Sequence, residues 1–456
     1  MSGVRHWVSQ VTSAAVTESW FDELAEFLRI PSISADPAHA GDVVRAGDWV
    51  CAFIRDAGGT CDVVDWHGQP LAIGEIPAST DPGAAPTVLC YGHFDVQPAD
   101  PLELWESDPF EPEIRGDYLY GRGTVDDKGQ LYMLLAGARE LARAGELPVN
   151  VRFCCDGEEE TGGHSIVEFL EVDERGADAA IIFDSGMIRR DVPAFNLATR
   201  GVVYFHVTLR TGQRDLHSGV FGGAALNAAH ALLHTLDALV AHDGTLVEPL
   251  RKGIAEPTPA ELEGWTELPT GAEELAEQGA RAKDPRAAED FYRRTLAEPA
   301  FDVNGIATGS PLLQKTVIPV EAVANVSIRL APGQSVDEIA PEVERLLREA
   351  APENADLQVE RWSAAEPGLV PPDAQAVQLA LDAFERALGR RPALVRTGGT
   401  LPIVPALAGK DIPCVITGFG LPDSQIHSPN ERLVAEYVPL GIRAARELYL
   451  AFADLR

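Results

Sequence analysis

Residues 87–95 read Thr-Val-Leu-Cys-Tyr-Gly-His-Phe-Asp, a short apolar run that stops on a histidine and an aspartate. Two more runs end in the same way. Residues 149–155, Val-Asn-Val-Arg-Phe-Cys-Cys, lead into Asp156-Gly157-Glu158-Glu159-Glu160, and residues 179–183, Ala-Ala-Ile-Ile-Phe, lead into Asp184. Between these strand-like runs, 129–144 reads as a helix and 164–170 as a shorter one. Strands alternating with helices predict an α/β fold, a mainly parallel sheet with helices on both faces. Ligands of such sheets bind beyond the carboxyl ends of the strands, which is where these acids and the histidine fall.

Working outward, 17–28 reads as a helix with Thr17 as its N-cap, followed by a helix over 46–57 and a strand over 61–64. From Gly201 the texture changes. Residues 201–210 alternate, 224–240 have helical periodicity, and 248–299 are acidic, Pro-rich and poorly periodic. A strand over 317–330, a helix over 336–350 and a strand over 355–362 make a compact α+β set, and 366–372 reads as a linker. The α/β alternation then resumes with a helix over 374–388, strands over 393–396 and 413–418, and a closing amphipathic helix over 437–452. The expected organisation is a catalytic domain, 1–200 and 369–456, interrupted by an inserted α+β lid and dimerisation domain, 201–368.

At 456 residues, 45% apolar and 23% charged, the chain has ample material for a buried core and exceeds one typical domain. Its 37 Lys and Arg stand against 70 Asp and Glu, a formal net charge of −33. That balance repels phosphate backbones and anionic lipid, so neither nucleic acid nor a membrane is an expected partner. The six cysteines form no C-x-x-C pair and sit among strand-forming neighbours, as reduced thiols do in a cytoplasmic protein. The first twenty residues carry no secretion signal, and a cytoplasmic location is expected.

The chemistry-bearing segments are Tyr91-Gly-His93-Phe-Asp95, Gly121-Arg-Gly-Thr-Val-Asp126-Asp127, Asp156 to Gly163, Asp184-Ser185-Gly186 and Ile426-His427-Ser-Pro-Asn430. Two imidazoles among carboxylates, with no thiolate, form a borderline-to-hard donor set that suits zinc or manganese. So many carboxylates in one cleft repel one another unless divalent cations neutralise them. His93 and Asp95, at i and i+2 of a strand end, leave on the same face, so Asp95 is placed to orient the imidazole. Adjacent residues of an extended segment point apart, which gives Glu159 and Glu160 different tasks, one a ligand and one a base. Glycines 157, 162 and 163 let the backbone turn around them. His230 and His234 lie at i and i+4 of a helix but lack the glutamate and third ligand of a zinc site. His164 reads as a helix-start residue, and Cys154 and Cys155 as strand packing.

The segments YGHFDVQP, LYGRGTVDDKG, DGEEETGG, RDLHSGVFGG, KTVIP and IHSPNE resemble, in order and along nearly the whole chain, the dinuclear-metal amidohydrolases. These include carnosinase-like cytosolic non-specific dipeptidases, succinyl-diaminopimelate desuccinylase, aminoacylases and glutamate carboxypeptidases, and the dipeptidase branch is the most similar. The resemblance implies a homodimeric metallopeptidase with two divalent ions per subunit, zinc or manganese. Asp126 would bridge them, with the Asp126–Asp127 peptide cis. His93 and Asp184 would complete one site, Glu160 and His427 the other. Glu159 would be the general base for a water shared by the metals, helped by Asp95. His217 would reach the partner subunit's site and stabilise the oxyanion, while Arg329, Thr316 and Asn304, with Gly399 and Thr400, would hold the substrate's C-terminal carboxylate or backbone. The expected function is a dipeptidase acting on short peptides with a free C-terminal carboxylate. An N-acyl amino acid deacylase or desuccinylase is the alternative within the family, and a non-catalytic relative the alternative outside enzymes.

Overall fold

The structure, a computed structural model, describes residues 14–455. The reading of residues 1–13 as free of a targeting signal lies outside the described residues. The chain divides into two compact units: one holds the chain up to Leu197, Val370–Val395 and everything from Ala406, the other Ala198–Leu369 and Arg396–Pro405. Arg396–Pro405, left with the last stretch in the sequence reading, packs with the second unit.

The first unit is built on an eight-stranded sheet, ordered Thr60–Trp66, Gln69–Ile76, Asn150–Asp156, Thr87–His93, Ala179–Phe183, Cys414–Thr417, Ala194–Asn196 and Ala393–Val395. Its four central strands run parallel. They are almost entirely buried, which explains their unbroken apolar runs. Register then sets the site: His93 lies opposite Asp156 and Tyr91 opposite Ile182, so His93, Asp156 and Asp184 arrive level at one carboxyl edge.

Helices cover both faces of that sheet. Cys90 meets the Tyr449 hydroxyl of the helix Tyr437–Ala451 at 3.3 Å. Arg152, paired with Leu89 and so pointing the other way, bonds Asp173 at the end of the helix His164–Val172. Gly137 brings the helix Lys128–Ala144 so close to Tyr437–Ala451 that a Cβ there would sit 2.9 Å from that of Ala445. The first helix runs Ala14–Leu28, so Thr17 lies inside it and is not its N-cap. Among the described residues, no helix is long and apolar enough to cross a membrane.

The second unit carries a four-stranded antiparallel sheet, ordered Ala300–Thr308, Glu321–Leu330, Gly201–Arg210 and Asp356–Ala365. Strict alternation along Gly201–Arg210 sends Val203, Phe205, Val207 and Leu209 into a core shared with the helices Ala228–Asp237 and Val336–Ala350. The expected strand 317–330 is broken into Val317–Ile318 and Glu321–Leu330 around Pro319, which has no N–H to donate. Within the expected linker, Gly368–Leu369 pairs with Ala198–Thr199.

The acidic stretch is ordered by local chemistry. Thr258 and Thr270 each form a capping box, with Glu261 and Glu273, opening the helices Pro259–Gly264 and Gly271–Glu277. Glu261 then pairs with Arg396, Nε to Oε1 at 2.5 Å, while Arg396 Nη1 donates to the Ala255 carbonyl at 2.9 Å. Both side chains are buried. Burial raises the Glu261 carboxyl, but hydrogen bonds from Arg396 and Thr258 overcome it and hold the group below its usual value. A depressed carboxylate stabilises above its unfolded pKa, so this contribution is full at neutral pH and is lost as pH falls through the folded value. Arg396→Ala, leaving a buried carboxylate alone, is expected to cost about 3–5 kcal/mol. Urea unfolding at pH 7 checks it; a loss below about 1 kcal/mol, the scale of an exposed pair, contradicts the assignment.

Candidate metal centre

Loops at the carboxyl edge of the first unit's sheet bring that unit's sequence candidates together. His93 is fully buried; its Nδ1 lies 3.2 Å from Asp95 Oδ1 and 3.1 Å from the Asp95 carbonyl. Its Nε2 meets Asp126 Oδ1 at 2.9 Å, and the other Asp126 oxygen meets His427 Nε2, also at 2.9 Å. His427 Nε2 is in turn 3.1 Å from Glu160 Oε2, to which Gln97 Nε2 donates at 2.9 Å. His93, Asp126 and Glu160 each present a ligand atom within 4.8 Å of the others.

The Asp126–Asp127 peptide is cis. Glu159 and Glu160 are not on an extended segment but in a 3₁₀ turn, Glu159–Thr161. Asp95 accepts both of their backbone N–H groups, Oδ1 from Glu159 at 3.2 Å and Oδ2 from Glu160 at 3.1 Å. That fixes the backbone of both residues in the turn. Gly162, at φ 130°, and Gly163, at φ 59°, supply the left-handed backbone that closes it.

The electrostatics follow from burial. Desolvation, opposed by His93 and reinforced by Asp184 and Glu160, pushes Glu159 up to about 8. Burial likewise carries Asp184 up to about 7, against His93 and with Asp126 and Glu160, which places Asp184 beside the same cluster. Asp156, also buried, rises to about 7, and its Oδ2 has no hydrogen-bond partner. Asp126 goes the other way: burial raises it, but bonds from His427 and His93 hold it well below the usual carboxylate range. The bonds to Asp126 and to Glu160 raise His427 to about 10.

This donor set fits divalent cations. One carboxylate offers its two oxygens to two separate imidazoles, a further carboxylate shares the second imidazole, and burial raises the carboxyls of Glu159, Asp184 and Asp156 beside them, a cost that positive charge in the cleft would relieve. Neighbouring positions support the ligands. Asp127 Oδ2 accepts the His93 N–H at 3.2 Å, and the fully buried Glu431 accepts the N–H groups of Gly123, Val125 and Asp126. Sequence reasoning passed over Glu431, whose one signal is that it closes the IHSPNE segment.

The remaining candidates lie in the second unit. Arg329 Nη1 donates to Thr400 Oγ1 at 3.2 Å, Thr400 Oγ1 donates to the Arg200 carbonyl at 2.7 Å, and the Arg200 N–H reaches the Gly399 carbonyl at 3.0 Å. Arg329, Thr400 and Gly399 thus gather at one place. His217 pairs with Val317, and Ser218 donates to the Thr316 carbonyl, so His217 and Thr316 form another. Asn304 sits at a bulge opposite Val326 and Asn325, whereas Arg329 faces Ala300, so Asn304 is not brought to Arg329. His230 and His234 are exposed on their helix, and Cys154 and Cys155 are buried in their strand.

Such a cluster at the carboxyl edge of a parallel sheet is the apparatus of a metal-dependent hydrolase. Residues 89–451 match the model of peptidase family M20/M25/M40, and the chain belongs to that family. The Cys-Gly metallodipeptidase of Schizosaccharomyces pombe is 29% identical over 457 residues, covering 93% of this chain and 94% of its own. The Beta-Ala-His dipeptidase of Homo sapiens is 30% identical over 404 residues, 85% of this chain and 78% of its own. Among solved structures, the M20 family metallo-carboxypeptidase Sso-CP2 from Sulfolobus solfataricus matches with a TM-score of 0.80 at 25% identity, over 96% of this chain and 99% of that one. The chain is a metallopeptidase, and these relatives favour a metal-dependent dipeptidase over the deacylase alternative.

Cation binding should displace protons, because ligand groups must lose theirs to coordinate. Asp184, near 7, and His427, near 10, hold protons at pH 6.5 that a bound metal would release. Affinity is therefore expected to rise with pH from about 6 to 8. Titration calorimetry with zinc in buffers of different ionisation enthalpy reads the release directly, and heats independent of buffer would contradict it.

Proposed function

We propose that the chain is a cytoplasmic, homodimeric dipeptidase that holds two divalent ions, zinc or manganese, and cleaves short peptides with a free C-terminal carboxylate. The observation that carries this is Asp126, whose two oxygens each face a different histidine at 2.9 Å, an arrangement in which one carboxylate would serve both cations. In this reading His93 and Asp184 serve one cation and Glu160 and His427 the other. The cations supply the positive charge that acidifies water and polarises the scissile carbonyl.

Glu159 is the general base. It lies next to Glu160 in the turn yet makes no side-chain hydrogen bond to the histidines, which leaves its carboxylate available to take a proton from the attacking water and release it again. As the water oxygen bonds the carbonyl carbon, the proton passes to Glu159; as the C–N bond breaks, Glu159 delivers it to the leaving amine nitrogen. Asp95 positions this base through its N–H and the imidazole of His93 through Nδ1. His217, supplied by the partner subunit, donates to the developing oxyanion, a kind of contact worth roughly 3–4 kcal/mol in other enzymes. Arg329 and Thr400, with Gly399, hold the substrate's carboxylate end, and Thr316, beside His217, serves its backbone.

Glu159→Ala is expected to abolish hydrolysis of dipeptides, by about 10²-fold or more, with metal content near the wild-type value. Elemental analysis beside a panel of dipeptides and N-acyl amino acids tests both statements. Loss of both metals would exchange the roles of Glu159 and Glu160, and faster turnover of N-acyl amino acids would favour the deacylase. Separately, mixing His217→Ala with Glu159→Ala subunits should restore part of the activity, since one site of the hybrid dimer is complete. No recovery on mixing would place His217 outside the partner's site.

A further inference from the structure

Glu431 is fully buried, and no step of the proposed reaction uses it. Its carboxylate is enclosed by donors from a single irregular loop. Oε2 accepts from Arg122 Nη1 at 2.7 Å and the Gly123 N–H at 3.0 Å; Oε1 accepts from the N–H groups of Val125 at 2.9 Å and Asp126 at 3.2 Å. The Glu431 carbonyl takes the Gly121 N–H at 3.1 Å as well. These N–H groups belong to no strand or helix, so without Glu431 they would be buried and unpaired, each a cost.

Glu431 is also tied to His427, four residues earlier in the same turn. Within that turn Asn430 is pinned on both sides, accepting from the Glu106 N–H and donating to the Leu104 carbonyl, each at 2.9 Å. Arg122, the buried counter-ion, extends the anchorage by donating to the Pro98 carbonyl at 3.1 Å and lying 5.4 Å over the Trp105 ring. One carboxylate thus clamps the loop that ends in Asp126 against the turn that carries His427. Their side chains are the pair that meet at 2.9 Å.

We infer that Glu431, held by Arg122, is a positioning residue of the metal centre: it sets the reach of Asp126 to the two histidines without touching either cation. This inference rests on the metal-centre reading above. Supporting groups of this kind are worth about 10–100-fold in metal affinity or activity. A purely structural ion pair would instead lower thermal stability and leave the affinity of the folded protein unchanged.

Glu431→Gln keeps the size but turns an amide NH₂ toward N–H donors, and Arg122→Lys keeps the charge but loses the fork. Zinc affinity of each folded, full-length variant, measured against a competing chelator, should fall by about 10–100-fold for Glu431→Gln and by less, in the same direction, for Arg122→Lys. At saturating zinc, kcat on a dipeptide should stay reduced with KM little changed. Wild-type zinc affinity in either folded variant, even with a lowered Tm, overturns the inference; if Glu431→Gln does not fold, Arg122→Lys decides alone. Asp126→Ala separates the two failures. Full metal content there defeats the metal-centre reading, whereas metal loss there with wild-type affinity in the Glu431 and Arg122 variants defeats only the positioning role.

Discussion

Crowded negative charge is the constraint from which the rest of the first unit follows. Asp95, Asp126, Asp127, Asp156, Glu159, Glu160, Asp184 and Glu431 converge on one buried sheet edge beside two imidazoles, where low dielectric magnifies every repulsion. The backbone sorts these acids into two sets. Asp95, Asp127, Asp156 and Glu431 accept backbone N–H groups, and each thereby fixes a loop. Asp126 and Glu160 turn to the histidines instead, and Glu159 and Asp184 keep their protons up to about 8 and about 7. The second set is the one that cations would neutralise, so the division between scaffold and site is written in which carboxylates meet an N–H.

Much of this was legible in the sequence because the central strands are buried on both faces. An apolar run with a sharp polar end, as at 87–95 or 179–184, identifies a strand, its direction and its functional edge together. Elements without that signature escaped. Gln69–Ile76 opens on Gln-Pro and forms an outer antiparallel arm. Ala300–Thr308 is an edge strand exposed on both sides, so its residues Asp302 to Ile306 show no alternation. Glu431 escaped for a different reason: a lone glutamate after Pro-Asn reads as solvated, and nothing local shows that a loop three hundred residues away will donate to it.

The stretch 248–299 seemed featureless because its order is capping and charge pairing, not hydrophobic period. Thr258-Pro-Ala-Glu261 and Thr270-Gly-Ala-Glu273 both have capping-box spacing, so the signal was present at a scale shorter than a helix-period search detects. Arg396, reaching Glu261 from a segment 135 positions away, turns that local motif into a tertiary tie within the second unit.

In the proposed mechanism the adjacency of Glu159 and Glu160 poses the sharpest problem: a ligand must be held rigidly by charge, while a base must exchange a proton on every turnover. Side-chain identity cannot separate them, since both are glutamates on one turn. The pair of N–H bonds to Asp95 locks the backbone of both residues and leaves only the side chains to differ. Glu160 then finds His427 and Gln97, two further restraints, whereas Glu159 finds a desolvated place among like charges that keeps its proton affinity high. One carboxylate behind the turn thus allows identical neighbours to do opposite work, and it is the same Asp95 that orients His93. Glu159, Glu160 and His93 share a single anchor, so a displacement of that anchor would shift all three together.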